Sequence, residues 1–178
     1  MDKVSYIIFT AFLVIAVSCL GPKERPNTEN ARDFFAKLAM DGGTWVHNPS
    51  DTTMAFHSFI MKFERREEDT LTGKIMGRTK TGDTIPFWRV EEYIDVAKDS
   101  IIFIQQGQHG NAKGTSIFPD PMTRESNFKM VYSNGLAQNH KDTHVFINDS
   151  TMLTQSKIFD NQTQKWIDQP DVIWTFKH

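Results

Sequence analysis

The stretch IPFWRVEEYIDVAKDSIIFIQQ, residues 85–106, decides the fold. It contains two strand-like runs, 85–97 and 101–106, separated by the tripeptide Lys98-Asp99-Ser100. Asp favours turns because its side chain bonds its own backbone, whereas β-branched and aromatic residues favour strands. The stretch therefore predicts two antiparallel strands joined at a tight corner.

The same pattern repeats along the chain. Strand-like runs cover 44–47, 54–63, 71–79, 85–97, 101–106, 126–132, 143–147, 151–159 and 172–177. An Asp followed by Thr or Ser recurs as a corner signal at Asp51, Asp69, Asp83, Asp99, Asp142 and Asp149. Sequential hairpins make a meander, and closing a meander removes its unpaired edges. We expect an all-β fold, an antiparallel up-and-down β-barrel of about eight to ten strands.

A short helix precedes the first strand run. Apolar residues recur at helical spacing between residues 31 and 38, Thr28 or Asn30 can cap the start, and Gly42-Gly43 would end the helix. The sequence therefore predicts a short N-terminal helix whose apolar face packs on the barrel.

Period-two alternation predicts which side chains face the interior. In the run 85–97 the inward face carries Trp88 and one carboxylate, Glu92, and in the run 54–63 it carries one imidazole, His57. Burying an unpaired carboxylate is costly, so Glu92 needs a partner. One hypothesis is that His57 and Glu92 meet inside the barrel, where they could orient a polar ligand head or transfer a proton. The alternative is that each makes an internal hydrogen bond or lies near the barrel mouth in water.

The first residues have the layout of a secretory signal. Met1-Asp2-Lys3 precede an apolar run, 4–17, which small residues end. A bilayer-spanning helix needs roughly 20 apolar residues, so the shorter run predicts a signal peptide over residues 1–18.

The tetrapeptide Ala16-Val17-Ser18-Cys19 resembles the lipobox of bacterial lipoproteins. The resemblance implies that Cys19 is lipidated and becomes the new N-terminus. Cys19 is the only cysteine of the chain, so it has no partner for an internal disulfide. We expect an acyl anchor on the bacterial cell envelope, a lipidated N-terminus and tether over residues 19–29, and a folded domain over residues 30–178. Leu20 after the cysteine favours the outer membrane, by analogy with the family.

The segment Gly43-Thr44-Trp45, between the predicted helix and the first run, resembles the Gly-x-Trp signature of lipocalins. The resemblance implies a calycin-type barrel in which Trp45 plugs the closed end and Lys177, in the last strand, packs across it. An ordinary core aromatic is the alternative for Trp45. The similarity in element order and length extends over residues 30–178 and points to bacterial lipocalin-like domains of generally uncharacterised function.

These observations favour a membrane-anchored envelope lipoprotein whose barrel binds or carries a small apolar or amphipathic molecule. The candidate ligand contacts are His57, Met61, Trp88, Glu92, Met130 and Tyr132. Two alternatives stay open: an isomerase or hydrolase that uses His57 and Glu92, and an envelope protein–protein interaction module with an exposed apolar patch. We expect a binding protein rather than an enzyme.

Charge and spacing argue against other classes. The chain has 20 Lys+Arg and 22 Asp+Glu, and this net charge of −2 gives no basic field for a nucleic acid. His140 and His144 would stand roughly 13 Å apart on one strand, too far to share a metal ion. The glycine-bearing segment 107–111 has no helix after it, which favours a mobile rim loop over a phosphate loop. We expect no metal, cofactor or nucleic acid; the expected partners are a lipid bilayer and a small apolar ligand.

Overall fold

The computed structural model describes residues 27–51 and 53–177. The predicted signal peptide, Cys19 and Leu20 lie outside the described residues. Within them the chain forms one α-helix, α1 (Asn27–Leu38), and two single 3₁₀ turns (Met40–Gly42 and Val96–Lys98). The strands are β1 (Thr44–His47), β2 (Phe56–Glu67), β3 (Thr70–Thr79), β4 (Thr84–Asp95), β5 (Ser100–Gly107), β6 (Gly110–Asp120), β7 (Thr123–Tyr132), β8 (Ala137–Asn148), β9 (Thr151–Asp160), β10 (Lys165–Asp168) and β11 (Val172–Phe176).

Ten of these strands close into an antiparallel barrel. Strands β1 to β9 pair in sequence order, β9 pairs with β11, and β11 pairs with β1. Strand β10 lies outside the ring and pairs with the second half of β9, on the edge that β11 uses in the first half. Pro170 lies between β10 and β11, where its missing N–H interrupts what would otherwise be one long strand. The predicted all-β barrel with an N-terminal helix is confirmed.

The boundaries show where local patterns mislead the prediction. The sequence pattern does not predict strand β6 and places its first residues in a mobile loop, but only Gln108 and His109 turn between Gly107 and Gly110, which pair with each other. Strand β10 is missed as well. Helix α1 begins at Asn27, so residues 27–29 belong to the helix and not to the tether.

The predicted corners at Asp residues are also only partly correct. Asp69, Asp83, Asp99 and Asp149 lie immediately before strands or in the turns that lead into them. Asp142 instead lies in the middle of β8 and pairs across to Ser126 and Ser156. Asp142-Thr143 is therefore not a corner.

Helix α1 covers one end of the barrel, which we call the closed end. Phe34 and Phe35 pack against Phe118 of β6 with ring centroids 5.2 and 5.7 Å apart. The side-chain amide of Asn30 donates to the Phe118 carbonyl at 2.9 Å. The apolar helix face therefore completes the core instead of facing solvent.

Trp45 lies fully buried beneath α1, and its indole N–H donates to the Leu38 carbonyl at 2.9 Å. Gly43 precedes it with φ +55°, and a Cβ there would lie 2.4 Å from the Phe63 carbonyl oxygen, so this junction requires glycine. The expectation that Lys177 packs across Trp45 is wrong. Lys177 is exposed, and the neighbouring residue Phe176 faces inward, with its ring centroid 5.1 Å from that of Trp45.

Candidate functional site

The exposure of the inward side chains changes along the barrel. Those next to the helix are buried, whereas many toward the other end keep part of their exposure, although Gln105, Ala112 and Met130 are buried there as well. These half-buried inward residues are Phe59, Ile75, Trp88, Tyr132, His140, Asp142, Ser156, Ile158 and Val172. The inward side chains are therefore sealed at the helix and partly exposed at the far end, which we call the open end; the inner surface between the two ends is called the cup.

Two opposite walls of this cup differ in chemistry. In the closed ring of ten, β8 and β3 are five strands apart in either direction and so lie across the interior from each other. The apolar wall is the inward face of β2–β4, in which Glu92 is an exception: Phe59, Met61, Phe63, Leu71, Gly73, Ile75, Gly77, Trp88 and Val90. The inward face of β7–β9 is mixed: it carries the apolar residues Phe128, Met130, Phe146, Met152 and Ile158 together with most of the polar ones. We call the polar members of this face the polar wall: Arg124, Ser126, Tyr132, Gln138, His140, Asp142, His144, Thr154 and Ser156.

A buried ionic network lies at the closed end of the polar wall. The Arg124 guanidinium donates through Nη1 to Glu92 Oε1, and its Nη2 lies 3.0 Å from Nδ1 of His144. Arg124 is 5% exposed and Glu92 is 0% exposed, and the Phe34 ring of α1 lies 6.0 Å from the guanidinium carbon. Among the described residues, Arg124 Nε and Glu92 Oε2 have no hydrogen-bond partner.

Burial sets the protonation of this network. Burial raises the pKa of Glu92, and the positive charge of Arg124 opposes that rise. Burial, together with the same guanidinium, holds the pKa of His144 well below its ordinary value of 6.5. A neutral imidazole can accept a hydrogen bond from Arg124, so the network joins β4, β7 and β8 while carrying one ion pair.

Nearer the open end, the polar wall carries a second group of side chains. Asp142 lies opposite Ser156, and burial raises the Asp142 pKa while the bond from Ser156 opposes the rise. The His140 ring stacks on Phe128 with centroids 5.2 Å apart, and burial lowers the His140 pKa. The Tyr132 hydroxyl lies 3.3 Å from His140 Nε2. This part of the wall presents both donors and acceptors to the interior.

Aromatic rings surround the open end on the opposite side. Phe56 contacts Phe59 and Phe87 with ring centroids 5.7 and 5.0 Å apart, and His109 lies 6.1 Å from Trp88. The pairing of β3 with β4 is irregular at this point, because Ile75 pairs with Trp88 whereas the next residue, Met76, pairs with Pro86. Phe87 is left unpaired by this shift and lies beside Trp88 in the cluster. Gly77 lies beneath the rings: a Cβ there would come within 2.6 Å of Phe56 and 2.7 Å of Phe87.

The expected meeting of His57 and Glu92 does not occur. A bulge in β2 between Phe56 and Ser58 takes His57 out of the inward alternation, and His57 is exposed. Glu92 is paired with Arg124 instead. The enzyme hypothesis built on these two residues therefore lacks its acid–base pair.

The other candidate contacts lie on the inner face. Met61, Glu92 and Met130 are buried, and Trp88 and Tyr132 are half-buried toward the open end. Whether they touch a ligand stays a prediction. The sequence prediction missed Arg124, His140, Asp142 and Ser156 as inward partners.

The structure also bears on metal sites, membrane spans and interaction surfaces. Within residues 27–51 and 53–177, no three or more His, Cys, Asp or Glu side chains are grouped so that they could hold a metal ion. In the same part of the chain, none of the helices has the length and apolar character needed to cross a bilayer.

On the outer surface, Val145, Leu153 and Ile173 form an apolar row across β8, β9 and β11. An interaction module stays a prediction.

The sequence matches no protein-family model, and comparisons with curated proteins and with solved structures return no match.

Proposed function

We propose that this protein is a lipid-anchored envelope protein whose barrel binds a small apolar or amphipathic molecule. The observation that supports binding is the partial exposure of inward side chains at the open end, where the apolar wall faces the polar wall. Small-molecule sites are typically concave and mostly apolar, with a few polar groups that fix the orientation of the ligand. The half-buried rings at the open end provide the contact surface that a ligand would cover on entry.

The closed end supports the same function in a different way. The Arg124–Glu92 pair is sealed beneath α1, so its charged groups are occupied with each other and do not meet solvent. The groups left for a ligand are those toward the open end: Phe59, Trp88 and the polar side chains around His140. If an apolar ligand can leave through one end only, its release should be slow, because its hydrocarbon surface has to move from an apolar interior into water.

Native mass spectrometry of the purified protein tests the binding proposal. We expect a non-covalent adduct that survives gentle ionisation and disappears on unfolding. An environment-sensitive apolar dye should also fluoresce with the folded protein, and Trp88→Ala should weaken the dye's affinity. A protein that carries no adduct and binds no dye would show that the barrel is filled by its own side chains.

The anchor is tested separately. Wild-type protein should fractionate with membranes, specifically with the outer membrane of a two-membrane cell, and Cys19→Ser should release it into the soluble fraction. The introduced serine side chain resembles cysteine in size but cannot form the thioether. Unchanged membrane association of the variant would overturn the anchor and leave the binding proposal intact.

A further inference from the structure

We infer that the ligand is facially amphipathic, meaning a rigid molecule with polar groups along one long face and hydrocarbon along the other. This inference rests on the proposed binding function and specifies its ligand class. The polar and apolar walls face each other along the depth of the cup. A head-to-tail amphiphile, such as a fatty acid, would instead be matched by polar groups gathered at one level.

The polar wall extends over most of the interior. On β8 it runs from His144, next to the network beneath α1, through Asp142 and His140 to Gln138 at the open end. A strand rises about 3.3 Å per residue, so the part of this row outside the sealed network, Gln138 to Asp142, covers about 13 Å. That length suits several polar groups in a row along one ligand.

The facing wall offers hydrocarbon over the same distance. The inward residues of β3, Leu71 to Gly77, carry no polar side-chain atom. A Cβ at Gly73 would come within 2.5 Å of the Phe63 ring, and the rings of Phe56 and Phe87 cover Gly77 in the same manner. Rings lying over glycine make a smooth apolar surface, which fits a rigid hydrocarbon face better than a flexible chain.

The chemistry of the polar wall favours hydroxyl groups on the ligand. The strongest cation of this wall, Arg124, already binds Glu92 at the closed end, so its guanidinium is not available to a ligand anion. The accessible groups are the Tyr132 and Ser156 hydroxyls, the His140 imidazole and the Gln138 amide, which both donate and accept once the imidazole is neutral, and the Asp142 carboxyl, which is hydrogen-bonded to Ser156. A hydroxyl also does both and can pair with any of them.

Three probes separate the ligand classes: cholate, which carries hydroxyls on one face of a steroid, its hydroxyl-free parent cholanate, and oleate as a head-to-tail amphiphile. Affinities are measured with the purified protein by titration calorimetry. Burial of hydrocarbon alone would favour cholanate. We expect cholate to bind about tenfold more tightly than cholanate, because each buried polar group left unpaired weakens binding by about that factor.

Two variants locate the effect. His140→Phe keeps the ring stacked on Phe128 and removes its nitrogens, and Ser156→Ala removes one hydroxyl; each should reduce the cholate preference about fivefold to tenfold. Asn139→Ala, on the exposed face of β8, is the matched control and should change nothing. Circular dichroism verifies that each variant is folded.

The outcomes distinguish the two proposals. Equal or tighter binding of cholanate and oleate would overturn the facial match while supporting the binding function. A cholate preference that survives both inward variants would also overturn it. Failure of all three probes to bind would count against the binding function itself, and the inference would fall with it.

Discussion

The two ends of the barrel place the same type of residue, tryptophan, in different surroundings. At the closed end, Trp45 is 0% exposed, is hydrogen-bonded to α1 and packs between Phe146 and Phe176. At the open end, Trp88 is half-buried, and its ring lies edge-on to His109 with centroids 6.1 Å apart. The contrast indicates that packing is concentrated beneath the helix, whereas the ring at the open end keeps part of its surface in solvent.

The charged and polar groups divide in the same way. Arg124, Glu92 and His144 contact one another in a sealed environment, and their removal from water has to be offset by those contacts. His140 and Tyr132 are half-buried at the open end and lie at a longer contact distance of 3.3 Å. Polar groups at the open end can give up such long contacts and hydrogen-bond to a ligand instead, at little cost in free energy.

The same substitution at the two tryptophans gives the largest expected difference. Trp45→Ala should lower the free energy of unfolding by about 3–5 kcal/mol, because it removes a fully buried ring. Trp88→Ala should lower it by about 1–2 kcal/mol, since part of the ring is already in water, but should weaken ligand or dye binding. Urea unfolding of both variants, followed by circular dichroism, measures the difference. Equal losses of stability would show that the two ends are equally packed.

A double-mutant cycle on the buried ion pair gives the next largest effect. Arg124→Met leaves the Glu92 carboxyl buried without its partner and should cost about 3–5 kcal/mol. In the double variant, Glu92→Gln with Arg124→Met, the uncompensated charge is gone, and we expect most of that loss to be recovered. Urea unfolding of the four proteins gives the coupling between the residues. If the double variant were as unstable as Arg124→Met, the cost would come from packing rather than charge.

The sequence predicts the closed end and the barrel better than the open end. Trp45 and the α1 face are found because they belong to regular patterns, helical spacing and a glycine-to-tryptophan junction. Glu92 is correctly recognised as a buried carboxylate in need of a partner. The choice of His57 fails because a one-residue bulge reverses the face of a strand, and nothing in the local sequence marks that bulge.

The correct partner of Glu92 does leave a signal in the sequence. The predicted strand run starts at Ser126, yet one more step of period two places Arg124 on the same inward face as Ser126, Phe128 and Met130. Strand β6 is missed because Gly110 and Gly114 weaken strand propensity, although Gly114 allows close approach to the Asn127 carbonyl of β7. Asp142 resembles a turn residue because local preference says nothing about a polar wall.

The smallest expected effect is a pH dependence of stability that arises from His144. Its folded pKa lies well below 6.5, because burial and Arg124 both disfavour the charged imidazole. As pH falls below 6.5, the unfolded chain takes up a proton that the folded protein does not, so the free energy of unfolding should fall by up to about 1.4 kcal/mol per pH unit. At pH above 6.5 this contribution is fully present.

Two carboxyls act in the opposite direction and have to be separated from this effect. The pKa values of Glu92 and Asp142 are raised in the folded protein above their ordinary values of 4.5 and 3.8. At pH values above these ordinary values, the folded state therefore holds these protons more tightly than the unfolded chain does. They therefore favour folding as pH falls, whereas His140, whose pKa burial lowers, acts with His144. Urea unfolding of wild type and His144→Gln between about pH 5 and about pH 7.5 isolates the imidazole, because the carboxyls and His140 are common to both proteins. We expect the difference in stability between the two proteins to change with pH below 6.5; a constant difference would mean that His144 titrates normally and that the base of the cup is open to water.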